Sequence, residues 1–148
     1  MGLPRYEPAP DVCRAIEAIR DALGDELGYI DVERVRCYRS IGARTRALAR
    51  IHGVERLLLV ALGIKPIYVI EVVSEKFYRL GLEDRVKVLI HELLHIPRSF
   101  SGGLRPHGRY VNNRRVTSLY RRLVEKGGVK IICERVNDAS WCTGGTGE

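Results

Sequence analysis

The chain has no run of 18 or more uncharged apolar residues, which excludes a membrane-spanning helix, and no glycine–proline period, which excludes a collagen-like fibre. Its four cysteines, Cys13, Cys37, Cys133 and Cys142, form no CxxC pair, so neither a zinc ribbon nor a thioredoxin-type redox motif is present. Methionine occurs once, and tryptophan, phenylalanine and tyrosine together make up 7% of the chain, so aromatics interleaved among the basic residues for stacking on nucleic-acid bases are few. Residues 1–10 contain Arg5, Glu7 and three prolines but no apolar h-region, so no secretory signal is read and a cytoplasmic location is expected. In that compartment the thiols are expected to be buried or incidental; a Cys133–Cys142 disulfide is expected only if the source is a hyperthermophile. No internal repeat is found.

What is present suits one compact domain spanning residues 1–148, with flexible ends at 1–10 and about 136–148: 45% of residues are hydrophobic and 29% charged. The net charge is +7, and 20 of the 25 basic residues are arginine. That balance permits contact with phosphates or acidic surfaces, although codon composition or a hot habitat is the plainer source of it.

Asp11, as N-cap, precedes Val12, Ile16, Ile19 and Leu23, which predicts an amphipathic helix over about 11–23. Val32–Arg39 alternates as a strand, residues 42–53 fit either state and lean to strand, and Val54–Leu62 reads as a short helix ended by Gly63. Ile67–Val73 is a strong strand. Glu83 and Asp84 start a helix with Val86, Leu89, Ile90, Leu93 and Leu94 on its inner side, closed by Pro97. Residues 97–109 carry loop chemistry, Asn112 and Asn113 cap a helix ending at Gly127-Gly128, and Val129–Cys133 reads as a short strand.

One segment carries chemistry: His91-Glu92-Leu93-Leu94-His95, an HExxH pattern on a helix already indicated by its apolar spacing. Residues four apart on a helix turn about 400°, so His91 and His95 emerge from one face and can close on one ion. Glu92 lies about 100° round from His91, near the ion but offset, which suits a base for a zinc-activated water rather than a ligand. With 4 His and 12 Glu, unrelated placement gives the pattern in roughly one such chain in a hundred, so chance is a weak competitor. His107 follows His95 after an interval of 11 residues that holds glycines and prolines, and leads the candidates for third ligand, ahead of Glu125 or Glu134.

These residues, His91-Glu92-Leu93-Leu94-His95-Ile96-Pro97 followed by Phe100-Ser101-Gly102-Gly103-Leu104-Arg105-Pro106-His107, resemble a family of archaeal and phage metallopeptidases. Ala49–Gly53, Tyr68–Val72 and Ser74–Phe77 are similar to it as well, so the likeness covers about 35–125. It implies an α+β fold, a minimal zincin-like domain with a small β-sheet packed against the active-site helix and helices flanking at both ends. It also implies one Zn2+ on His91, His95 and His107, with Glu92 as general base. The spacing departs from HExxHxxGxxH, and Met1 leaves no Met-turn, so a metzincin is rejected.

Secondary candidates are Glu71 on the substrate side, a solvent-facing or salt-bridged residue being the default, and Arg105 and Tyr110 as oxyanion donors, loop packing being the default; His52 is expected to be structural or exposed. Arg114, Arg115, Arg121, Arg122 and Lys126, with a second group at Arg34, Arg36, Arg39, Arg44, Arg46 and Arg50, form basic surfaces that are candidates for nucleic acid, a solvated face being the default. The leading expectation is a zinc peptidase acting on a peptide or protein, with no membrane partner. Its rival is a nucleic-acid- or ribonucleoprotein-binding module in which zinc is a structural staple.

Overall fold

The computed structural model describes residues 2–142. The order is β1 (Arg5–Pro8), α1 (Pro10–Ala22), α2 (Gly24–Leu27), a 3-10 turn (Val32–Arg34), β2 (Val35–Ile41), β3 (Ala49–His52), α3 (Arg56–Leu62), β4 (Tyr68–Val73), α4 (Ser74–Phe77), α5 (Leu82–Leu94), α6 (Asn113–Glu125), α7 (Gly128–Val136) and α8 (Ala139–Cys142). The strands form one sheet in the order β1-β2-β4-β3. β2 and β4 run parallel at its centre, and β1 and β3 are antiparallel edges. This is an α+β domain, as expected.

The pleat separates two faces. Tyr68, Ile70 and Val72 of β4 are buried toward the helices, joined by Val35 and Cys37 of β2. Against that face lie α1, through Val12, Ala15, Ile16 and Ile19, and α5, through Val86, Leu89, Ile90 and Leu93. Helix α6 then packs on α5 through Val116, Leu119 and Leu123. Its start was readable: Asn112 accepts from the Arg115 N–H at 2.9 Å.

Several expectations are corrected. Within the N-terminal stretch, Arg5–Pro8 forms strand β1, in which Arg5 to Pro8 pair with Ile41 to Tyr38; Pro8 is tolerated on this edge strand, where an amide donor is dispensable. Asp11 is not the N-cap of α1; Ala9 is, and Pro10 takes the first turn. Val129–Cys133 is helical, since Gly128, Ile132 and Val136 recur every fourth residue and bury that face of α7, which packs on α1. Toward the C-terminal end, α7 runs to Val136 and α8 carries the fully buried Trp141; the rest of the expected flexible tail lies outside the described residues. The cysteines are not free thiols: Cys13 joins Cys37, and Cys133 joins Cys142.

The buried polar groups share one hub. Asp11 Oδ1 accepts from Arg39 at 3.0 Å, and Oδ2 accepts from the Tyr78 hydroxyl at 2.8 Å and the Trp141 indole N–H at 2.9 Å. Beside it the buried Arg85 donates to the Leu80 and Tyr78 carbonyls, its guanidinium 5.1 Å from the Trp141 ring centroid. The C-terminal segment is thereby tied to α1, β2 and the turn after α4.

Candidate metal centre

Helix α5 ends at Leu94, and His95 continues its right-handed backbone as the C-cap, so His91 and His95 stay one turn apart on one face. Their ring centroids lie 5.2 Å apart, and His107 stands 5.1 Å from the first and 4.8 Å from the second. One ring nitrogen of each falls within 4.8 Å of the others. The structure thus brings together the three histidines singled out in the sequence. Glu125 and Glu134 are not part of the cluster.

His107 is placed by a loop that the fold pins at several points. The Tyr68 hydroxyl donates to the Gly103 carbonyl at 2.9 Å and accepts from the Gly102 N–H at 2.8 Å, while its ring meets Phe100 edge-on. The Val54 N–H donates to the Gly102 carbonyl at 3.1 Å. Gly102 has φ +103°, and a Cβ there would lie 2.5 Å from the Val54 carbonyl oxygen, so this position requires glycine. Next, the Arg105 N–H donates to the His95 carbonyl at 2.7 Å, and His95 Nδ1 donates to the Arg105 carbonyl at 2.6 Å. That second bond fixes the tautomer and leaves Nε2 of His95 with its lone pair available.

The donor set fits a divalent ion. His91 Nε2 and His107 Nε2 are 3.0 Å apart, close to the roughly 3.3 Å edge of a tetrahedron with ~2.0 Å metal–nitrogen bonds. Burial, and then the neighbouring His95 and His107, hold the His91 imidazole below its ordinary range, so it stays neutral and able to donate a lone pair.

Glu92 is buried beside the cluster, and burial pushes its carboxyl up to about 7 against a lowering hydrogen bond from the Ile51 backbone N–H of β3. A carboxyl poised near neutrality suits proton transfer at neutral pH. It faces a cleft of about 330 Å³ that also touches Ala49, Arg50 and Ile51 of the edge strand, and Leu104. A second cavity of about 470 Å³ shares Ala49, His91 and Glu92 and runs on between α5 and α6 over Val88 and Val116.

The secondary candidates are not brought to the cluster. Glu71 projects from the other face of the sheet, since its neighbour Ile70 faces the core. There Glu71 Oε1 accepts from Arg50 at 2.9 Å and meets His52 Nε2 at 2.8 Å, which also gives His52 its structural partner. Arg105 donates to the Ile96 carbonyl at 3.0 Å and to the Tyr29 hydroxyl at 3.1 Å, and its guanidinium covers the Tyr110 ring. Both residues therefore brace the loop. Of the arginine-rich surfaces, Arg39, Arg50, Arg115 and Arg122 pair with carboxylates of the chain itself, and Arg34 and Arg36 donate to backbone carbonyls. The contact of Tyr68 with Gly102 and Gly103 was not anticipated, although both segments carry the family resemblance: Tyr68 looked like one more strand residue.

Glu71 carries a pH prediction. Burial alone would raise its carboxyl, but the Arg50 guanidinium, then the Ser40 hydroxyl and then His52 outweigh this and hold it at about 2. The folded value lies below the unfolded one, so the stabilisation is complete above about pH 4.5 and is lost as pH falls toward 2. It amounts to about 3 kcal/mol at most, reduced because Arg50 and His52 are half-exposed. Glu71→Gln is expected to be less stable than the parent at pH 7 in denaturant unfolding, with the gap closing between pH 4.5 and 2. A gap that does not change with pH contradicts the assignment.

A family model described as "Putative phage metallopeptidase" matches residues 4–134. No curated protein and no solved structure matches the chain.

Proposed function

The chain belongs to that phage metallopeptidase family, and from this premise we propose that it is a zinc-dependent peptidase, with His91, His95 and His107 as ligands and Glu92 as general base. The observation that carries the proposal is the convergence of three imidazoles within 4.8 Å beside a buried carboxyl raised to about 7. Three imidazole nitrogen donors with no thiolate suit zinc and leave room for an exchangeable position. The ion, when bound, supplies a Lewis acid that polarises the carbonyl and acidifies water.

The chain's own groups supply the rest. The edge of β3 borders the cleft, so an extended peptide can pair with it and present a carbonyl toward the histidines. Glu92, with one oxygen oriented by the Ile51 N–H, removes a proton from the attacking water and delivers it to the departing amine. The Nδ1 bond from His95 to the Arg105 carbonyl keeps that imidazole aimed while charge develops.

The rival reading, a structural zinc in a nucleic-acid-binding module, needs a fourth protein ligand, and the cluster among the described residues has three. The test is metal removal. Cleavage of an unfolded protein substrate should fall to background after chelation and return when zinc is restored; cleavage that survives chelation overturns the proposal.

A further inference from the structure

Helix α3 leaves nearly all of its apolar side chains in solvent. Leu57 is 69% exposed, Leu58 51%, Val60 64% and Leu62 67%, with Ile64 just beyond at 45%, while Leu59 alone of the helix is buried. At 100° per residue, Leu57, Leu58, Val60, Ala61 and Leu62 sweep an arc of about 200° opposite Leu59, with no polar side chain inside it. An ordinary surface helix shows an apolar stripe of about 100° directed inward; here a wider one is directed outward. An apolar patch of this kind marks a surface that something covers.

The surroundings select the cover. Arg56 and Lys65 stand exposed at the two ends of the segment, and Arg34 anchors the following turn by donating to the Lys65 carbonyl at 3.0 Å and the Pro66 carbonyl at 2.7 Å. Glu55 is the acidic residue next to the helix, and the whole chain carries +7. A second copy of the helix, packed across a two-fold axis, covers one stripe rather than a 200° arc and brings two cationic chains together. A bilayer surface surrounds a short helix on every outward side, and anionic headgroups complement the cations at its ends.

We infer that α3 is an interfacial anchor, with Leu57, Leu58, Val60 and Leu62 entering the acyl boundary of an anionic membrane while Arg56 and Lys65 contact its headgroups. No helix among the described residues is long and apolar enough to cross a membrane. The sequence-based expectation of no membrane partner rested on that criterion, which tests spanning and not surface contact. The inference is independent of the peptidase reading.

Vesicle co-sedimentation of the full chain tests it, comparing pure phosphatidylcholine with phosphatidylcholine containing one quarter phosphatidylglycerol. The parent chain should bind the anionic vesicles about tenfold more strongly than the neutral ones. L57Q/L62Q, whose sites are exposed, should keep the parent melting temperature and lose binding to both. R56E/K65E should lose the preference for anionic lipid. Absence of binding by the parent, or undiminished binding by L57Q/L62Q, overturns the inference. So does light scattering that shows a dimer dissolved by L57Q/L62Q without vesicle binding, which would make a second copy the occupant.

Discussion

Glu92→Gln is expected to take up zinc as tightly as the parent chain and to hydrolyse peptide bonds roughly a hundred- to ten-thousandfold more slowly. The amide keeps the size of the carboxylate, and its oxygen can still accept the Ile51 N–H that orients the side chain. What it loses is the ability to accept a proton from water and return it to the amine. Because Glu92 stands outside the cluster of ring nitrogens, its replacement leaves the donor set intact. The loss should therefore fall on kcat, with metal content measured in parallel. Full activity in this variant, at unchanged zinc content, would remove Glu92 from the mechanism.

The second large effect concerns stability. Asp11→Ala is expected to cost about 3 kcal/mol, at the low end of the range for breaking a buried ion pair because Arg39 is partly solvated. It strands three donors at once: the Arg39 guanidinium, the Tyr78 hydroxyl and the Trp141 indole N–H. For a domain of this size that corresponds to a fall in Tm of roughly 6–12 °C, measured with both disulfides intact. Asp11→Asn keeps an acceptor oxygen and should lose less. If Asp11→Ala melts within a degree or so of the parent, the hub is not what ties α8 to α1.

Much of the site was legible because its chemistry is local. His91 and His95 share a face through the helix period alone, and the apolar spacing of Val86, Leu89, Ile90 and Leu93 located that helix independently. His107 was reachable by reasoning from loop length and ligand preference. What positions it was not, because Tyr68 acts on Gly102 and Gly103 from more than thirty residues away, and no short-range pattern records such a contact. Likewise Asp11, read as a cap from its place before an apolar helix, serves partners at positions 39, 78 and 141. Residues 129–133 show the opposite failure. Four apolar residues in five fit a strand locally, and only their packing against α1 settles them as helix. Glu71 was open to two readings, substrate-side or salt-bridged, because strand pattern does not say which face of a sheet meets the active helix; its pairing with Arg50 and His52 is the plainer of the two.

The central claim is that His91, His95 and His107 grip one divalent ion and leave a position open to solvent. X-ray absorption on the zinc-loaded chain, with zinc stoichiometry determined on the same sample, tests this most directly. The account predicts one zinc per chain, three imidazole nitrogens at about 2.0 Å and one exchangeable oxygen, with the imidazole count reduced in His107→Ala. A chain that takes up no zinc, or a shell closed by four protein ligands, would contradict it.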